Sequence, residues 1–152
     1  MPIRLVALLA SLLVVASLAG CSSAATTAPS AAAPTVSDAW VRPPMGSGQP
    51  AGGYMIITNP GGQADALVGV SSPVATSVEI HETTTDASGM TGMHPVDRLD
   101  VPAGGSVTLQ PGGYHLMLMG VTQPLAVGTT VELDLVFEYA GDVTIQAEVR
   151  QG

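Results

Sequence analysis

Residues 112–120 read Gly-Gly-Tyr-His-Leu-Met-Leu-Met-Gly. Successive side chains of a β-strand point to opposite faces, so a strand here sets His115, Met117 and Met119 on one face and Leu116 and Leu118 on the other. The leucine face suits a core. The opposite face offers a neutral imidazole beside two thioethers, a soft donor set that suits Cu(I) and not calcium, magnesium or manganese, which take hard oxygen ligands. The competing reading is packing, because Met is a common core filler and a strand buried on both faces is an apolar run.

The positions of the other donors weigh against packing alone. The chain has three His, at 81, 94 and 115. Residues 77–82, Ser-Val-Glu-Ile-His-Glu, also alternate. Val78 and Ile80 then face a core, while Glu79 and His81 share the other face, with His81 outward at the strand's end. A polar, turn-rich stretch follows, and then Met90-Thr91-Gly92-Met93-His94-Pro95-Val96, which adds two thioethers and an imidazole. A single exposed His is ordinarily just solvated; several soft donors gathered in two segments point to a metal. Glu79, Glu82 and Asp86 add negative charge that favours cation capture.

Other chemistries find less support. A blue-copper electron-transfer site needs a Cys thiolate in its trigonal set, and the one Cys, Cys21, lies near the N-terminus. No nucleophile elbow, phosphate loop or His-Glu-x-x-His zinc motif is present, and Glu79 and Glu82 face opposite ways on a strand, so no catalytic residues are expected. The four basic residues are all Arg, against twelve Asp and Glu. That balance excludes a nucleic-acid surface, which requires clustered Lys and Arg.

Arg4 precedes an apolar run from Leu5 to Val15 that ends in small residues and Leu18-Ala19-Gly20-Cys21, which resembles a bacterial lipobox. The resemblance implies a signal peptide over residues 1–20, lipid on the Cys21 sulfur, and an extracytoplasmic protein tethered to a membrane. With its only thiol consumed, the chain has no disulfide and no thiolate ligand. Loss of Arg4 leaves three Arg against twelve acids, 3 − 12 = −9. Residues 21–35 comprise the lipidated Cys and a Ser/Ala/Thr/Pro tether, and residues 36–152 the folded domain.

In that domain short β-like runs recur between Gly and Pro clusters, with no sustained helical period. They include 39–41, 53–59, 66–70, 106–109, 130–139 and 142–149. In the penultimate run Val131, Leu133, Leu135 and Phe137 alternate with Glu132, Asp134, Val136 and Glu138, and Ala140-Gly141 reads as a hairpin turn. Trp40 reads as a core anchor. Residues 42–52 form a loop restrained by three prolines around Met45. The expected architecture is an antiparallel β-sandwich of about nine strands.

Between donors the chain counts His81, eleven residues, Met93, twenty-one residues, His115, one residue, Met117. This spacing, with Val-Glu-Ile-His-Glu-Thr-Thr, Met-His-Pro-Val, Val-Pro-Ala-Gly-Gly and Pro-Gly-Gly-Tyr-His-Leu-Met-Leu-Met-Gly around it, resembles the PCu(A)C family of periplasmic copper chaperones. That family's pattern is written with ten residues in the first interval. The extra residue here falls in the loop before Met93, where an insertion is cheap, and it leaves Met90 as a competing thioether. The resemblance implies a cupredoxin-like sandwich. It further implies a surface Cu(I) site of His81, Met93, His115 and Met117, with Met90, His94 and Met119 as spare donors and Cu(II) as a further candidate cargo. The implied partner is a copper acceptor, a cytochrome c oxidase subunit or its assembly factor. Two alternatives stand beside it: a copper buffer for tolerance, and a structural β-sandwich lipoprotein that binds no metal.

Overall fold

The computed structural model describes residues 32–152. The expected signal peptide, Cys21 and most of the expected tether lie outside the described residues. Ten strands follow in order: β1 Thr35–Arg42, β2 Ala51–Thr58, β3 Asp65–Ser71, β4 Ser77–Thr85, β5 Thr91–Pro95, β6 Leu99–Val101, β7 Ser106–Leu109, β8 Tyr114–Met119, β9 Thr130–Phe137 and β10 Gly141–Val149. Ten replace the expected nine or so, and among the described residues there is no helix. The strands hydrogen-bond in the order β5-β4-β8-β7-β2-β1-β10-β9-β3-β6, with β8 also pairing directly with β2. Pairing is antiparallel except between β1 and β10 and between β7 and β8.

The strand pattern explains how this ladder forms two layers. In β9 Val131, Leu133, Leu135 and Phe137 are buried while Glu132 and Val136 are exposed, the alternation of a sheet with one face in the core. Gly141, at φ 79°, opens β10 directly opposite Phe137, closing the hairpin over Glu138, Tyr139 and Ala140. The inward residues of β9 join Leu67 of β3, Ile57 of β2, Ile80 of β4 and Leu116 and Leu118 of β8 in one apolar cluster. Each such side chain contributes on the order of 1.5–3 kcal/mol by leaving water. The sheet therefore curls so that the β4–β8–β2 half lies over the β9–β3 half.

Polar groups pin the corners. Buried Asn59 donates from Nδ2 to the Gln63 carbonyl at 2.8 Å and accepts the Gly61 amide at 2.9 Å, fixing the turn after β2. Buried Asp65 accepts the amides of Ala66, Tyr139 and Ala140 at 2.7–3.0 Å, clamping the start of β3 to the β9–β10 turn. Trp40 is buried but stands beside the main cluster. Its ring lies 4.3 Å from the Tyr54 centroid, with the Arg150 guanidinium 4.8 Å from its own.

Candidate metal centre

The two donor segments meet by strand pairing. β4 runs antiparallel to β8 with His81 opposite His115 and Glu79 opposite Met117. On its far side β4 pairs with β5, placing Met93 opposite Thr83 and Pro95 opposite His81. Alternation then puts His81, Met93, His115 and Met117 on one face of the sheet, away from Ile80, Leu116 and Leu118 in the core. Met119 shares that face but sits at the far end of the ladder, opposite Ser77. His94 pairs with Glu82 on the reverse face, and Met90 precedes β5 in the parity of His94. Of the two thioethers left open by the longer first interval, Met93 is the one on the His81 face.

One expectation about this strand is corrected. His81 is on the face away from the core, as expected, but not at a strand end: β4 continues to Thr85, and the His81 side chain is only 12% exposed. The reason is its place in the sheet, with β5 hydrogen-bonded on one side and β8 on the other. A middle strand of this kind has its residues covered by neighbours on both sides.

Each imidazole has one nitrogen committed. His115, 7% exposed, donates from Nδ1 to the Gly113 carbonyl at 3.0 Å. A carbonyl only accepts, so in the neutral ring the proton is on Nδ1 and the lone pair on Nε2. His81 is held the other way round, with Nε2 donating to Glu79 Oε2 at 2.9 Å. Its Nδ1 is buried without a hydrogen-bond partner, a costly state for a polar atom unless something else takes the lone pair. The two ring centroids are 5.9 Å apart. A bond from one ring nitrogen to a carboxylate or carbonyl fixes the tautomer of a metal-binding His and leaves the other, basic nitrogen free.

A cavity of about 270 Å³ opens on this face, lined by His115, Met93, Met117, Tyr54, Met45 and Arg42 among others. Tyr54 forms one wall, its ring centroid 6.5 Å from that of His115 and its hydroxyl bonded to Arg42. Gly52, opposite Met117, leaves room for that ring: a Cβ there would meet the Tyr54 hydroxyl at 2.7 Å. Among the described residues no three His, Cys, Asp or Glu side chains converge. The face therefore offers a nitrogen and thioether set and no oxygen or thiolate cage, which favours a soft monovalent ion over zinc or calcium.

Three contacts of this face involve Glu79, the Gly113 carbonyl and Met45. The hydrogen bond from His81 to Glu79 was foreshadowed by their spacing of two on a strand, which shares a face. The Gly113 carbonyl lies only two residues before His115, but no side-chain pattern marks a backbone acceptor, and Met45 arrives through a loop.

A family model described as "Putative lipoprotein LpqE-like" matches residues 34–149. The chain belongs to the LpqE-like family. It is 37% identical over 102 residues to "Putative lipoprotein Lxx21020" of Leifsonia xyli subsp. xyli, a match covering 67% of this chain and 60% of that relative's length. This LpqE-like fold is similar to solved PCuAC domains, which agrees with the cupredoxin-like architecture expected from the motif spacing. The apo PCuAC domain from PmoF1 aligns at 30% identity and TM-score 0.69, over 80% of this chain and 97% of that one. The copper-bound PCuAC domain from PmoF2 aligns at 32% and 0.67, over 80% and 96%. The Cu(I) form of DR1885 from Deinococcus radiodurans aligns at 37% and 0.58, over 86% and 84%.

Proposed function

We propose that this LpqE-like protein is a lipid-anchored, extracytoplasmic copper chaperone that carries one Cu(I) on His81, Met93, His115 and Met117. The observation that carries the reading is the pairing of His81 with His115, each with one nitrogen tied back to Glu79 or Gly113. His81 Nδ1 and His115 Nε2 are the nitrogens left for the ion, with Met93 and Met117 supplying sulfur. Two neutral nitrogens and two thioethers leave the bound ion its charge of about +1 and hold it without a thiolate, so a thiolate-bearing acceptor can withdraw it. The copper-bound states of two structural neighbours, the PmoF2 domain and DR1885, support the same cargo. The lipobox-like segment before Cys21 and the lipoprotein name of the Leifsonia relative support the anchor. The recipient class, a cytochrome c oxidase copper subunit or its assembly factor, follows from the motif resemblance.

The test is an anaerobic Cu(I) titration of the full-length chain in detergent, competed against a chromophoric chelator, with the His115→Ala, Met117→Ala double variant in parallel. One Cu(I) per chain, lost in the variant, is the expected result. Equal binding by the two proteins would refute the site.

A further inference from the structure

The cavity has a third thioether in its wall that the four-ligand reading does not use. Met45 sits between β1 and β2 and lines the cavity together with Met93, His115 and Met117. It is 94% exposed and contributes no packing, while Met93 beside the same opening is 58% exposed. A single exposed apolar side chain needs no explanation, whereas two methionines exposed around one opening lined by an imidazole and a further methionine do. Met is also the apolar residue whose sulfur is a ligand for Cu(I).

The loop that carries Met45 is built to present it. Pro43, Pro44 and Pro50 restrain the backbone at both ends, and a bond from the Gln49 amide to the Gly46 carbonyl at 3.2 Å closes a turn between them. Gly48 holds φ 76°, and a Cβ there would meet nothing within 4 Å. On its other side the loop borders a second open hollow of about 550 Å³, lined by Pro43, Gly46, Gly48, Gln49 and residues 120–125. The segment thus has stiff ends and open space on either side of Met45.

We propose that Met45 is an additional thioether ligand, borne on this loop, that closes over Cu(I) held by the His81, Met93, His115 and Met117 face. This inference rests on the copper reading above. A donor on a loop differs from donors on paired strands in one functional respect, since it can leave the ion without disturbing the sheet. Met45 thereby shields the cargo in transit and opens the coordination position through which an acceptor enters.

The experiment labels the methionine methyl groups with carbon-13 in the full-length chain in detergent and follows them by NMR during anaerobic addition of Cu(I), which is diamagnetic. Met45→Leu assigns the Met45 signal, and its Cu(I) affinity is measured by chelator competition. The Met45, Met93 and Met117 methyls are expected to shift together and saturate at one equivalent. Met90, in the parity of the opposite face, and Met55, in the core, stay in place as internal controls. Met45→Leu is expected to retain the stoichiometry, bind Cu(I) about three- to tenfold more weakly and release it faster. Movement of Met93 and Met117 with Met45 fixed, or an unchanged affinity in Met45→Leu, overturns the loop ligand and leaves the four-ligand site standing. No methyl movement and no bound Cu(I) removes the copper reading itself, and this inference with it.

Discussion

Glu79 offers the sharpest check on how the imidazoles are prepared. Its Oε2 accepts the Nε2 proton of His81 at 2.9 Å, the contact that turns the buried, unpartnered Nδ1 into the free nitrogen. Removing an outer-shell partner of a metal-binding His typically lowers affinity 10–100-fold. The Glu79 side chain is 50% exposed, so water partly replaces it in Glu79→Ala, and the expected loss is at the low end, about tenfold or about 1.4 kcal/mol. Glu79→Gln keeps an oxygen acceptor without the charge. Charge-assisted bonds are roughly twice as strong as neutral ones, so this variant should lose about threefold. The control is Glu82→Gln, which removes the same charge from the reverse face of β4, opposite His94. Anaerobic chelator competition on the full-length chain, at neutral pH and moderate salt, reads all four proteins. Wild-type affinity in Glu79→Ala would refute the tautomer argument. So would an equal loss in Glu82→Gln, which would reduce the effect to general charge.

Three further outcomes are expected. Met93→Leu should weaken Cu(I) binding at least about tenfold while Met90→Leu leaves it unchanged in the same competition assay, because only Met93 has the strand parity of His81; the reverse ranking would put the wrong methionine in the site. Asp65→Ala should cost about 2–4 kcal/mol in urea unfolding by leaving the Ala66, Tyr139 and Ala140 amides without their acceptor, and Asp65→Asn should recover part of it. At the tip of the β4–β5 hairpin, the Ser88 hydroxyl and then the Met90 amide hold the Asp86 carboxyl below its usual range. A depressed acid adds stability that is full above its unfolded value and lost as pH falls through the folded one. The tip amides should therefore stay ordered through about pH 3.9, the ordinary Asp midpoint, and loosen only below it. An Asp86 titration by NMR at or above that midpoint would contradict the bonding.

Much of the architecture was legible because strand alternation is a local property. Val131, Leu133, Leu135 and Phe137 declare a buried face by themselves, and the structure buries all four. Leu116 and Leu118 likewise separate from His115 and Met117 by alternation alone. The strand count came out one short of ten because several short runs lie between turns and none is strongly periodic, as with the three residues of β6. The misplacement of His81 has the same kind of cause: from local pattern a strand's end is hard to set, and its neighbours in the sheet are invisible.

Which side chains share a face is legible from the chain alone, since the two-residue period of a strand is fixed by backbone geometry. So are the donor types and their spacing, and with them the family resemblance. Which faces meet is set by the long-range strand pairing. The register that sets His81 opposite His115 spans a separation of 34 residues, 115 − 81, and is held by Ile80, Leu116 and Leu118 going together into one core. A slip of one residue would turn the donors inward and the leucines out, so the apolar face fixes the pairing of the polar one. The tie from the Gly113 carbonyl to His115 and the placement of Met45 beside the donors belong to loops. Their positions follow from what the paired strands on either side leave open, and no local pattern encodes that.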